Sequence, residues 1–336
     1  MYRLLICLML ISCAKKNDTV PAPPLPPVTP PVVKTTAKLM TLPAGWKFSV
    51  NLSNGFPDAI EAYEFDSLVM GNKVKAFAVA FNPKNSPIEF KPVLSATAKK
   101  PSEFYTQEQG VVYACINGGF FGGNQSYSLV KYNNSVLAAN IKSVSRTYNW
   151  LSTPYYPTRA AFGINTTGDP SVAWIYHVGT GNDKVFQYPL PAANLLGALP
   201  KQQPDENFPA GGTEWQVNSA IGGSPMLLKA GSINITDKEE LIDINNTTSR
   251  PRSAIGATTG GLVLVLAIEG DNPSGGYAGI NLADLAKMLK DLGCKDAINL
   301  DGGGSTGFIV NNRQTVRPGD NGVERIVPSV VVIKKK

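Results

Sequence analysis

An α+β fold is the class this sequence predicts: a single main domain, strand-rich, with a mixed sheet and a few helices packed on it. Three observations carry the prediction. Short apolar runs at 74–81, 111–116, 262–268 and 326–333 are bounded by Gly, Asn or Pro, the pattern of buried strands. One segment, 281–293, has a clear helical period. With 43% of its 336 residues hydrophobic, the chain has ample material for a sizeable core.

The start of the chain reads differently. Arg3 followed by the apolar run 4–10 has the form of an export signal, too short to span a bilayer. Leu10-Ile11-Ser12-Cys13 resembles a bacterial lipoprotein box, so 1–13 is read as a lipoprotein signal peptide with lipidation at Cys13. Seven prolines between Pro21 and Pro31 make 14–38 an extended, Pro-rich tether. The expected product is a domain over 39–336, extracytoplasmic in the bacterial envelope and attached to the membrane through lipid.

Within that domain 74–81 is a strand ended by Asn82-Pro83. A short helix is expected from Pro101-Ser102 to Gln109 with Ser102 as its cap. The run 111–116 is a strand buried on both faces, finishing in Asn117-Gly118-Gly119-Phe120-Phe121. The middle, 124–216, holds short strands around 161–164 and 172–178, with loops over 189–212. A second glycine site, Ile221-Gly222-Gly223-Ser224-Pro225, precedes the apolar Met226-Leu227-Leu228. The runs 253–257 and 262–268 form a hairpin; a two-residue turn at Gly260-Gly261 puts Arg252 opposite Glu269 and predicts an Arg–carboxylate pair. Asn281 caps a helix whose Leu282, Leu285, Leu289 and Leu292 form one apolar stripe, and Gly293 ends it. The last strand is 326–333.

Composition excludes several functions. The net charge of +6 is concentrated at the two ends, leaving no nucleic-acid footprint. The single histidine, His177, lies in a strand-like run and reads as structural, which removes His-rich zinc sites. Outside the leader only Cys115 and Cys294 remain, both beside apolar runs; buried thiols are the expectation.

The chemistry is expected at Asp301-Gly302-Gly303-Gly304-Ser305-Thr306, between the apolar runs 297–300 and 308–310. An acidic side chain at a strand end meets a loop whose amides and hydroxyls suit an anion or a sugar. The alternative is a Gly-rich hairpin turn. Gly302, Gly304 and Gly307 fit G-x-G-x-x-G, but a strand follows where a dinucleotide site requires a helix. No P-loop motif is present.

In order, Asn117-Gly-Gly-Phe-Phe, Gly222-Gly-Ser-Pro, Arg252-Ser-Ala-Ile-Gly, a helix and Asp301-Gly-Gly-Gly-Ser-Thr resemble the phosphodiester glycosidase family, most clearly over 111–333. The resemblance implies a hydrolase that releases a sugar, N-acetylglucosamine in the family's namesake, from a sugar-1-phosphodiester. It implies Asp301 as nucleophile or base, Glu269 as its partner, Arg252 on the phosphate and Asn117 on the sugar. Phe120 or Phe121 would supply a platform, and Gly118, Gly119, Gly223, Ser224, Gly302, Gly303, Gly304, Ser305 and Thr306 the substrate cradle. No cofactor is required by this chemistry. Two alternatives stand beside it: a non-catalytic glycan-binding lipoprotein of the same fold, and a phosphodiesterase holding Ca²⁺ or Mg²⁺ on Asp301, Glu269 and Asn117.

Overall fold

A computed structural model describes residues 36–336, all within one compact unit. The signal and lipidation readings for 1–13, and the tether as far as residue 35, lie outside the described residues. Among the described residues no helix is long and apolar enough to cross a membrane.

The domain is mostly β rather than a balance of α and β. Three large sheets of eight, seven and five strands dominate, with two α-helices, α1 (Pro101–Gln107) and α2 (Leu282–Asp291), among the described residues. Among the described residues the mixed sheet expected from sequence is not found: every strand pair is antiparallel. The reason is local. Strand after strand turns back on itself through two-residue hairpins with both central residues at positive φ, as at Met70-Gly71, Asn149-Trp150 and Asn311-Asn312. Such turns match the twist of antiparallel neighbours.

The eight-stranded sheet runs Trp46–Phe48, Ile60–Val69, Asn72–Phe81, Val263–Ile268, Arg252–Thr258, Cys294–Asn299, Met226–Lys229, Ser232–Ile233. Val112–Asn117 and Val327–Lys335 are central in the five-stranded sheet, and Arg159–Ile164 and Ser219–Gly222 in the seven-stranded one. One core unites all three: Val79, Phe81, Val265 and Ile298 from the first meet Ile116 and Val331 from the second and Phe162, Trp174 and Ile221 from the third.

The outer faces are also covered, which is why these strands read as continuous apolar runs. Helix α2 lays Leu282, Leu285, Leu289 and Leu292 on Ala254, Leu264, Leu266 and Ala297, as its stripe predicts. Asn281 caps it, its side chain accepting the Asp284 N–H at 2.9 Å. Helix α1 covers the five-stranded sheet with Phe104 and Tyr105. Its cap differs from expectation. Lys100 is the N-cap and Pro101 opens the helix, while the Glu103 carboxylate reaches back to the Lys100 N–H at 2.8 Å. Ser102, one residue inside, donates to Glu324 instead.

Cys115 and Cys294 are free and buried, as expected, and burial raises both thiols, Cys294 to about 12. His177 is buried and structural. Its Nε2 accepts the Asn140 N–H at 2.9 Å, so Nδ1 carries the proton and donates to Asn182 O, and burial lowers its pKa.

Candidate active site

Asp301 stands just past the strand Cys294–Asn299, where the ends of the eight- and five-stranded sheets meet. The backbone there is clamped. Asp301 N–H donates to Gly118 O at 3.2 Å, and Asn117 Nδ2 donates to Asp301 O at 2.7 Å. Asn117 Oδ1 accepts from Ser253 Oγ at 2.6 Å and Gly307 N at 3.2 Å. The fully buried Asn117 amide thus joins three chain segments and has no capacity left to orient a sugar. It positions Asp301.

The Asp301 carboxyl is raised from 3.8 to about 6 because burial disfavours its charge; the Ser305 hydroxyl, the Gly302 N–H (2.9 Å) and the Arg325 charge pull the other way. A carboxyl that changes charge near neutrality at a strand-end loop is suited to proton transfer or to attack on a cationic centre.

The glycine loop is a single 3₁₀ turn over Gly303–Ser305, not an open cradle. Gly302 N–H serves Asp301, Gly303 N–H serves Pro251 O, and Ser305 and Thr306 N–H close the turn on Gly302 O and Gly303 O. The amide of Gly304 is not among these. A side chain on Gly304 would overlap a bidentate Asp320–Arg325 pair, with Nε–Oδ2 at 2.7 Å and Nη2–Oδ1 at 2.8 Å. Arg325 also donates to Ser305 Oγ at 3.3 Å. This pair was not found by sequence reasoning, since 313–325 reads as an ordinary polar loop.

Several expected contacts are absent. Arg252 faces Ile268, not Glu269. The hairpin loop has three residues, Thr259, Gly260 and Gly261, with Gly261 at φ +82 and its N–H on Thr258 O, one more residue than the two-residue turn assumed. That shifts the register by one and sends Arg252 and Glu269 apart. Arg252 still lies against the glycine loop, where a Cβ on Gly302 would be 3.8 Å from its Cδ. Its guanidinium, however, donates to Ile280 O, Ile244 O, Asn245 O and Thr248 O at 2.8–3.3 Å, and burial beside Arg250 lowers it to about 10. With four of five donors used it is a structural tie, not a phosphate clamp. Glu269 accepts from Asn272 Nδ2 at 2.7 Å and Arg317 N at 3.1 Å, with Lys75 Nζ at 3.7 Å.

The other glycines serve close packing. A methyl on Gly118 would overlap Ser329, on Gly119 Gly222 O and Ser128, and on Gly223 Asn299 O. The Gly118 and Gly223 amides are spent on Ser329 O and Ala160 O. Phe121 packs against the Phe104–Val330 core cluster, while Phe120 is half-buried. Ser224 is buried and donates to Glu240 Oε2 at 2.6 Å. Glu240, missed by sequence reasoning inside the polar run 236–240, is fully buried and takes four further bonds, from Ala160 N, Met226 N, Trp174 Nε1 and Thr236 Oγ1. It ties the Gly223–Ser224 corner to the seven-stranded sheet.

The donor set named for a divalent cation does not assemble: the Asn117 oxygen is taken by Ser253 and Gly307, and Glu269 by Asn272 and Arg317. Among the described residues no group of three or more His, Cys, Asp and Glu comes close enough to hold a metal ion.

An aspartate clamped where two sheets meet, beside glycines pressed on neighbouring backbone, is the candidate site. Residues 110–334 match the phosphodiester glycosidase family, and the chain belongs to that family. Among individual relatives, the chain is 31% identical over 119 residues to bovine N-acetylglucosamine-1-phosphodiester alpha-N-acetylglucosaminidase. That match covers 32% of this chain and 22% of the relative, so the likeness spans well under half of either. The zebrafish catalytic domain of the same name, auto-inhibited by its pro-peptide, superposes with a TM-score of 0.55 at 18% identity, covering 87% of this chain and 89% of that one. A hypothetical protein from Synechocystis superposes at 0.56 with 17% identity, covering 84% and 63%. These superpositions establish the common fold.

Proposed function

We propose that this protein hydrolyses sugar-1-phosphodiesters, releasing the sugar, with Asp301 at the reaction centre. The observation that carries the proposal is Asp301, its backbone held by Asn117 and Gly118 at the meeting of two sheets and its buried carboxyl raised to about 6. Family membership supplies the reaction type.

The chemistry needs little else. Asp301, ionised, takes a proton from water as the water oxygen bonds to the anomeric carbon. The bond from that carbon to the phosphate oxygen breaks, and its electron pair leaves with the phosphate. The departing monoester has a second pKa of about 6, so it leaves as an anion without a carboxylic acid to protonate it. This accounts for a site in which Glu269 is engaged elsewhere. Export and lipid attachment through Cys13, with action on envelope glycans, belong to the same proposal.

The test is product analysis of the full chain given N-acetylglucosamine-α-phosphoryl-methylmannoside. Free N-acetylglucosamine from wild type, and none from folded Asp301→Asn, is the expected result. No release across a panel of sugar phosphodiesters, with binding retained, would replace the enzyme by a glycan-binding protein; chelator-sensitive release of sugar-1-phosphate would indicate cleavage on the phosphorus side instead.

A further inference from the structure

Six buried side-chain polar atoms lack a hydrogen-bond partner among the described residues. Such atoms are rare, and each calls for an explanation. Three belong to Asn299, Thr306 and Ser329, around Asp301, and two to Asn140 and Arg159, around the Gly222–Gly223 corner of the seven-stranded sheet. Asn299 is two residues before Asp301, Thr306 closes the glycine loop, and Ser329 lies against Gly118.

Arg159 is the exceptional member. Its side chain is buried, its Nε has no partner, and no protein group among the described residues hydrogen-bonds or ion-pairs with its guanidinium. The backbone places it by the site. The next residue, Ala160, accepts the Gly223 N–H at 2.9 Å, and Gly223 is pressed on Asn299 O. Asn140 joins it on one face. Ala161 pairs with Gly222, whose Cβ position is 2.7 Å from Asn140 Oδ1, and Arg159 is two residues along the same strand on the same side. Asn140 Oδ1 is fixed by the Leu129 N–H at 2.7 Å, which leaves Nδ2, the unpartnered atom, as a donor facing away from that bond. Arg146, from the hairpin Val144–Tyr155, adds a second positive charge close enough to oppose ionisation of Arg159. The nearest countercharge, Glu240, already holds five donors, and Arg159 is not one of them.

We propose that Arg159, with Asn140, is the seat of the substrate's phosphate. The inference rests on the glycosidase reading for its substrate class. A buried guanidinium without a protein partner, on the same face as an unused amide donor, has the composition of an oxyanion site. It takes the role that sequence reasoning gave to Arg252. Arg159 would hold the phosphate in a fork and stabilise the charge it gains as the sugar bond breaks.

The experiment is calorimetric titration of methyl phosphate, a minimal phosphate monoester, into the full chain. Wild type, Arg159→Lys, Arg159→Gln and Asn140→Ala are compared, with melting temperatures recorded. Wild type binds, more weakly as salt rises. Arg159→Gln weakens binding at least about tenfold, as expected for a charge-assisted bidentate contact. Arg159→Lys, which keeps the charge and loses the fork, is intermediate, and Asn140→Ala loses a few-fold. Methyl phosphate raises the melting temperature of wild type and not of Arg159→Gln. Wild type that fails to bind, or Arg159→Gln that binds equally well, overturns the assignment. If Arg159→Gln fails to fold because Glu240 needs its charge, Arg159→Lys decides: undiminished binding there overturns the proposal too. Arg159-dependent binding without sugar release would refute the glycosidase reading and leave the phosphate seat standing.

Discussion

The Asp301 carboxyl makes a prediction opposite to that for an ordinary surface carboxylate. Its folded-state pKa is raised from 3.8 to about 6. Between those values the folded chain binds more protons than the unfolded one, so stability falls as pH rises through the window. Above about pH 6 the fold bears the full cost of ionising a buried group, about 3 kcal/mol for a change from 3.8 to about 6. Asp301→Asn removes that cost. The Asn oxygen still accepts the Gly302 N–H, and the Asn117 clamp acts on the backbone, so the fold loses little. The variant is therefore expected to be more stable than wild type by up to about 3 kcal/mol at pH 7, and equal to it below about pH 4. Urea unfolding of both proteins from pH 4 to pH 8 measures the gap, read from the midpoints with an unchanged slope. A variant no more stable than wild type at pH 7, or a gap independent of pH, would refute the reasoning. Stability gained where activity is lost is the signature of a group held in place for chemistry.

The remaining predictions concern the same region. If Asp301 works as the base, kcat/KM rises with pH through about 6 and levels above it; a profile that falls across this range would make it an acid. Asn117→Ala leaves Ser253 Oγ and the Gly307 N–H without their acceptor and unclamps Asp301 O, so it should cost about 3 kcal/mol in denaturant unfolding and most of the activity. Gly223→Ala forces a methyl against Asn299 O, and overpacking against backbone should cost roughly 3 kcal/mol; a melting temperature equal to wild type would show that the strands can part. Glu240→Gln turns one of two donor-surrounded oxygens into a donor, which should cost about 3 kcal/mol by chemical unfolding, with no loss expected only if the carboxyl is protonated in the fold.

The separation of these roles explains what could be read from the chain alone. Strands with long apolar runs and helix α2 follow from local pattern, because burial on both faces and a leucine stripe leave a direct trace in the order of residues. The meeting of Asn117 with Asp301 was foreshadowed by two strand ends finishing in polar residues and glycine. What was not legible depended on single-residue register or on long-range pairing. One extra loop residue, Thr259, turned an expected Arg252–Glu269 contact into two unrelated hydrogen-bond networks. Gly118, Gly119 and Gly223 are equally instructive. Composition shows that a backbone must come close to something, but not whether that partner is a ligand or another strand; here it is Ser329, Gly222 and Asn299. Arg159 carried no signal for a similar reason. An arginine inside 159–164 looks like a lone charge in an apolar strand, and its meaning lies in what fails to meet it. Arg252 and Arg159 are both buried and each opens a strand, yet one spends its donors on four carbonyls and the other on none. Residue type made them equivalent; only the distribution of partners separates the arginine that ties the backbone together from the one left without a protein partner.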